Sequence, residues 1–257
     1  MTARIAVVTG GASGIGQACC QVLASKGWRV VVADIDEAGA KRVAAEVGGV
    51  SSRLDVGDEA GTRQEAARIE REAGPVEGLV NSAGIIAVPK APEDLSMADW
   101  DRVTHIDQRG TYVANLAFGQ AMTQRGLGAI VNIASVAGMR SFPLHAYAPA
   151  KAAVIAISEC LAAEWGRKGV RVNTVSPGFT VTPALQAKFD TGERSPDAMI
   201  AHSALDRLIR PVDIANACAF LLSDEAAAIT GINIPVDAGW LCANGWKTYP
   251  GIRGNWP

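Results

Sequence analysis

Five short runs of apolar, largely β-branched residues punctuate the chain: Ile5–Thr9, Arg29–Asp34, 78–81, 129–133 and 171–175. A strand with one wet face alternates polar and apolar residues, and these do not. They therefore read as strands buried on both faces, the pattern of a parallel sheet covered by helices above and below. The intervening stretches supply the helices, at 14–26, Glu37–Val47, 59–73, 97–125, 147–169 and 211–223. Weaker strand signals lie at 52–54 and Asn233–Val236. The alternation predicts an α/β chain with a doubly wound sheet. The 257 residues, nearly half of them hydrophobic, suit one domain spanning 1–257. Residues 183–202 mix signals and are expected to be mobile, within a substrate loop of about 179–206. Residues 241–257 form a C-terminal extension.

The first strand runs into Thr9-Gly10-Gly11-Ala12-Ser13-Gly14-Ile15-Gly16. Glycines permit a tight turn and let backbone N–H groups approach a phosphate closely. The following helix points its free amides and partial positive charge at the same place. The spacing is Gly-x3-Gly-x-Gly, so a purely structural turn is the competing reading. Asp34, at the end of the second strand, adds weight. A carboxylate there accepts hydrogen bonds from adenosine ribose hydroxyls and repels a 2′-phosphate. Gly11 and Ile35, where a basic residue would meet that phosphate, are neutral. The competing role for Asp34 is a helix N-cap. Together these features predict a Rossmann-type fold binding NAD rather than NADP.

Tyr147 and Lys151 are four residues apart at the start of a helical run and so share one face. A phenol ionises near pH 10, and a neighbouring ammonium lowers that value, making tyrosine a usable acid/base. The alternative is a packed tyrosine beside a solvated lysine.

With these residues in place the chain resembles the short-chain dehydrogenase/reductase family over nearly its whole length. The similarity rests on the glycine turn, Leu54-Asp55-Val56, Asn81-Ser82-Ala83-Gly84, Ser135, Tyr147 with Lys151, Pro177-Gly178, and the stretch from Arg210-Pro211 through Asp237-Ala238-Gly239-Trp240. The resemblance implies NAD-dependent hydride transfer between an alcohol and a ketone. It implies that Gly10, Ser13, Gly14, Ile15, Gly16, Asp34 and Ile35 hold the adenosine and pyrophosphate. Asp55 and Val56 flank the adenine, and Asn81, Ala83 and Gly84 support the sheet beside the cofactor. Pro177, Gly178, Thr180 and Thr182 hold the nicotinamide end. Ser135 binds the substrate oxygen, Tyr147 gives or takes the proton, and Lys151 binds the nicotinamide ribose and lowers the tyrosine pKa. A homotetramer is implied too.

Two positions depart from the family pattern. Ser82 stands where a second asparagine is usual. Asp107 falls where the family has a catalytic asparagine whose backbone carbonyl serves a proton relay. Aspartate keeps that carbonyl, and its charge can perturb Lys151. The wording around Asn81–Ile85 and Ala121-Met122 is similar to bacterial sugar and polyol dehydrogenases, implying a small sugar, polyol or hydroxy acid. Ala137, Met139, Phe142, His145 and the 179–206 segment are pocket candidates. Arg140 reads as a surface residue. Three other functions compete: an NAD-binding redox sensor without turnover, a 3-oxoacyl reductase, and an isomerase or dehydratase using the cofactor transiently.

A net charge of −2 gives no footprint for nucleic acid or an anionic membrane. No apolar run approaches the roughly 20 residues that cross a bilayer, and the start of the chain lacks a signal-peptide layout. Five cysteines without Cys-x2-Cys spacing and three scattered histidines predict reduced buried thiols, no metal and a cytoplasmic setting. Trp246, Tyr249 and Trp256 with Arg253 are interface-type residues, so the tail is expected to be ordered at a subunit contact.

Overall fold

The computed structural model describes residues 3–243. Seven strands form one parallel sheet: β1 (Ile5–Thr9), β2 (Arg29–Asp34), β3 (Val50–Arg53), β4 (Val76–Asn81), β5 (Gly128–Ile133), β6 (Val170–Pro177) and β7 (Asn233–Val236). Their order is β3-β2-β1-β4-β5-β6-β7, so the sequence direction reverses between β1 and β4. Ligand crevices of doubly wound sheets open at that switch, beyond the C-terminal strand ends.

The two-residue period of a strand divides the apolar runs between two cores. Ala6, Val8, Val30, Val32, Val80 and Val131 face one side, with Leu23 of α1 (Gly14–Ser25), Val43 of α2 (Glu37–Val47) and Ile214, Leu221 and Leu222 of α9 (Pro211–Leu222). Ile5, Val7, Val31, Leu79 and Ile130 face the other. There they meet Ile69 of α3 (Glu59–Glu72), Phe118 and Met122 of α5 (Thr111–Arg125), and Leu161 and Trp165 of α6 (Tyr147–Trp165). Burying one such side chain contributes about 1.5–3 kcal/mol, which is why runs without alternation stay in the middle layer.

Five expectations change. The long helix at 97–125 is three pieces: α4 (Met97–Val103), a π-helical turn (Thr104–Gly110) and α5. Strand β3 begins at Val50, earlier than 52, because its pairing with Val31 and Val32 is made by the backbone whatever the side chains. The helix after Tyr147 ends at Trp165 and tightens into a 3₁₀ turn, Gly166–Lys168, before left-handed Gly169. Residues 183–202 hold α7 (Pro183–Asp190) and α8 (Pro196–Ile200), each started by a proline and capped by the hydroxyl of Thr182 or Ser195. Among the described residues no helix is long and apolar enough to cross a membrane, and no cluster of three metal-ligating side chains exists. The five cysteines are free. Cys19, Cys20 and Cys218 are buried as expected, but Cys160 and Cys242 are exposed. The expectations for the tail beyond 243 lie outside the described residues.

Candidate active site

The glycine turn is tight because a side chain has no room there. A Cβ on Gly16 would run into the carbonyl of Gly10, and one on Gly10 would lie 2.7 Å from the amide nitrogen of Ala83. Gly10 also has φ +67°, a conformation that favours glycine. The Thr9 hydroxyl accepts the N–H groups of Ser82 and Ala83 at 3.2 and 3.3 Å, tying the ends of β1 and β4 together across the switch. Helix α1 starts at Ser13 without a side-chain cap and without an acidic residue in its first turn. Its leading amides and the end of its dipole thus remain for an anion, which fits a dinucleotide pyrophosphate. A Cβ on Gly14 would lie 3.4 Å from Thr182, so the turn and Thr182 face one another. Ile15 is half-buried at the start of the helix.

Asp34 is not a helix cap. The α2 cap is Asp36, which accepts the Gly39 N–H at 3.1 Å. Asp34 instead accepts the Ala12 N–H at 3.0 Å and the Asp36 N–H at 2.9 Å, one on each carboxylate oxygen. Ile35 beside it is exposed. Sequence reasoning missed Arg42, whose guanidinium donates to the Ala12 carbonyl at 2.9 Å and pairs with Glu46 at 2.8 Å. Its i,i+4 partner on the same helix commits that charge. Further along, Asp55 accepts the Gly57 N–H at 2.9 Å and Val56 packs against Gly110.

Below the switch lies a buried amide network. Asn132 accepts from Asn81 at 2.8 Å and Asn115 at 3.1 Å, and donates to Ser158 at 2.9 Å. Asn115 and Ser158 were not legible as partners, because β5, α5 and α6 meet only in the fold. On the opposite side Pro177 ends β6, Gly178 packs on Asp237, and the Thr180 hydroxyl donates to the Gly178 carbonyl at 3.1 Å.

Ser135, Tyr147, Lys151 and Asp107 converge beside Gly84. Ser135 follows β5 and its hydroxyl accepts the Ala137 N–H at 3.1 Å. Lys151, 4% exposed, donates to the Ile133 carbonyl at 3.2 Å, and its ammonium lies 5.4 Å from the centre of the Tyr147 ring. Asp107, fully buried, enters from the π-helical turn. Its Oδ1 accepts the Ile85 N–H at 2.8 Å, while Oδ2 has no hydrogen-bond partner and stands 3.5 Å from the Lys151 Nζ. The backbone carbonyl of Asp107 accepts the Thr111 hydroxyl at 2.7 Å. A side chain at Gly84 would crowd both partners, at 3.3 and 3.4 Å.

Burial weakens Lys151 as a cation, but Asp107 and Tyr147 outweigh it and the net shift is upward. Burial raises the Asp107 carboxyl, with Lys151 and the Ile85 N–H opposing. At the Tyr147 phenol Lys151 acts downward as expected, yet the net direction is upward. Burial is the largest cause, Lys151 and Ser135 favour the phenolate, and the negative charge of Asp107 works against them.

On the outer side, Phe142, Phe179 and Trp240 form an aromatic trio with ring centres 5.2–6.3 Å apart. Phe179 and Trp240 line a cavity of about 270 Å³ with Arg194, Ser195, Ala198, Met199 and His202. Asp237 fixes the Trp240 turn by accepting the N–H groups of Gly239 and Leu241 at 2.8 and 2.9 Å. Of the other pocket candidates, Ala137 is buried, Met139 touches Asn233, His145 is half-buried, and Arg140 is exposed. A second hollow of about 350 Å³ is lined by Arg53, Asp55, Glu65 and Arg68 among others, and none of the acid–base residues lines either hollow.

Residues 10–241 match the family model described as enoyl-(acyl carrier protein) reductase. The chain is 40% identical over 243 residues to D-threitol dehydrogenase of Mycolicibacterium smegmatis, covering 92% of each. It is 38% identical over 244 residues to galactitol 2-dehydrogenase of Rhizobium johnstonii, covering 92% of this chain and 95% of that one. A solved structure from Brucella melitensis 16M, described as ribose-5-phosphate isomerase, is 50% identical with a TM-score of 0.95 and 98% of each chain covered. An oxidoreductase of the short-chain dehydrogenase/reductase family from Burkholderia thailandensis is 35% identical with a TM-score of 0.89 and 96% of each covered. The chain belongs to the short-chain dehydrogenase/reductase family, and its reaction class is hydride transfer between an alcohol carbon and a nicotinamide cofactor.

Proposed function

We propose that the protein interconverts a small polyol and its ketose with NAD(H), using Tyr147 as general acid/base. The observation that carries this reading is the convergence of the Tyr147 phenol with the Ser135 hydroxyl and the Lys151 ammonium beside the glycine turn. Nicotinamide, when bound, takes or gives the hydride. In oxidation Ser135 donates a hydrogen bond to the substrate oxygen, and Tyr147 as phenolate takes the hydroxyl proton. In reduction Tyr147 returns a proton to the carbonyl oxygen. Lys151 holds the nicotinamide ribose and favours the phenolate. Gly10, Ser13, Gly14, Ile15 and Gly16 cradle the pyrophosphate. Asp55 and Val56 would flank the adenine, Asn81, Ala83 and Gly84 would support the sheet beside the cofactor, and Pro177, Gly178, Thr180 and Thr182 would hold the nicotinamide end.

NAD is favoured over NADP by the Asp34 carboxylate, by neutral Ile35, and by the commitment of Arg42 to Glu46. The polyol assignment is supported by the threitol and galactitol relatives. A panel of polyols and sugar acids with NAD and NADP, followed by NADH absorbance, tests the reading. Product formation without net NADH favours the second reading, isomerisation, which the Brucella melitensis relative suggests. Binding of NADH without turnover on any substrate identifies a sensor.

The chain works as one unit in this proposal, with 179–206 as its substrate segment. Cytoplasmic placement is supported by its five free thiols. A homotetramer fits the exposed Ala152, Ala156 and Ala163 on α6 and exposed Tyr112 on α5. Ala162 on the same helix packs inside its own subunit. Sedimentation at micromolar concentration tests the assembly.

A further inference from the structure

Asp107 is a buried carboxylate beside Lys151, and its setting gives that carboxylate more than a spacer's role. The side chain is fully buried and held at one end by the Ile85 N–H, so it is fixed in place. The other end, Oδ2, has no hydrogen-bond partner among the described residues and stands 3.5 Å from the Lys151 ammonium. A buried carboxylate oxygen without a hydrogen bond is costly, and a nearby cation is what keeps it charged. An asparagine in this place offers the same acceptor to Ile85 but carries no charge toward Lys151. Among the described residues, the groups that act on the Tyr147 phenol are Lys151 from its own helix, Asp107 from the π-helical turn, and the Ser135 hydroxyl from the loop after β5. One cation therefore favours the phenolate and one anion opposes it.

We propose that Asp107 is a positioning residue that partly cancels the Lys151 charge at Tyr147, setting the base form of the phenol at more alkaline pH than an amide there would. Oxidation needs phenolate and reduction needs phenol, so Asp107 biases the protein toward reduction near neutral pH. The inference rests on Tyr147 being the acid/base group. The upward shift of the phenol, to which Asp107 contributes, agrees with it.

The test compares the full-length parent with Asp107→Asn, Asp107→Ala and Tyr147→Phe. Phenolate absorbance, titrated without cofactor, reports Tyr147 as the signal lost in Tyr147→Phe. Both Asp107 variants lack the charge, and only Asn keeps the Ile85 contact. A charge effect therefore appears in both, whereas a packing effect separates them. The expected result is a Tyr147 titration displaced to lower pH in both. Alongside it, the neutral-pH oxidation rate, relative to each variant's own alkaline plateau, should rise about tenfold, the lower end for one charge at close range. An unmoved or upward titration in both variants overturns the inference. Full turnover by Tyr147→Phe instead sinks the reading of Tyr147 itself. An inactive Tyr147→Phe with unmoved titrations in the Asp107 variants sinks only the role given to Asp107.

Discussion

The Asp34 carboxylate accepts the Ala12 N–H at 3.0 Å, fastening the end of β2 to the glycine turn. Each carboxylate oxygen holds one backbone donor and keeps a second lone pair for a ribose hydroxyl. Replacing Asp34 with Ala and Ile35 with Arg removes the anion and supplies a phosphate partner. The expected outcome is a rise of at least about tenfold in the NADP-to-NAD ratio of kcat/KM, roughly 1.4 kcal/mol of differential binding. Steady-state kinetics with both cofactors checks it, and a parent that already prefers NADP defeats the premise.

Tyr147→Phe keeps the ring and its packing but removes the exchangeable proton. Turnover should fall at least about 100-fold, the lower range for general acid–base catalysis, while NADH still binds in a fluorescence titration. Near-normal turnover would end the proposed mechanism.

Gly16 lies against the Gly10 carbonyl, with no space for a methyl group. Gly16→Ala should cost about 1–3 kcal/mol, as over-packing does, and push α1 off the turn. Urea unfolding and NADH binding should both report the loss. A variant as stable as the parent, with NADH affinity intact, would show that the close approach is dispensable.

Asp213, in the first turn of α9, accepts the N–H of the N-cap residue Arg210 at 2.8 Å and pairs with Arg207 at 2.8 Å and Arg210 at 3.3 Å. Partial burial raises its pKa, yet hydrogen bonds from both arginines and the Arg210 N–H bring it down to about 2. A depressed carboxyl stabilises the fold above its unfolded value near 4 and loses that contribution as pH falls through about 2. Asp213→Asn should therefore lower the melting temperature at pH 7, by an amount worth about 1 kcal/mol after solvent screening. The gap between parent and variant should narrow as the pH drops to 3. A constant gap would show that charge is not the cause.

The sheet was legible because burial on both faces forces continuous apolar runs, while strand ends escaped: Val50 and Ser51 of β3, Val76 and Glu77 of β4, Gly128 of β5, and Val170, Ser176 and Pro177 of β6. The glycine turn and the Tyr147–Lys151 pair are local in sequence, so spacing alone placed them on one turn and one helix face. The π-helical turn at 104–110 was not legible, since no single residue type marks where α-helical winding widens by one residue. Nor was the direction of the Tyr147 shift, which depends on burial and on a carboxylate forty positions away. The trio of Phe142, Phe179 and Trp240 and the network of Asn81, Asn115, Asn132 and Ser158 join segments that meet only after folding.

The π-helical turn splits one helical rod into two pieces with independent phase. Each residue added to or removed from a helix rotates everything beyond it by about 100°. A chain shortened by one residue within 104–110 could regain unbroken α-helical winding, but Asp107 would then share its angular setting with either α4 or α5, not stand between them. The wide turn thus acts as a phase adjuster. It lets α5 turn Phe118 and Met122 inward to the core while Asp107 is aimed, separately, at Lys151.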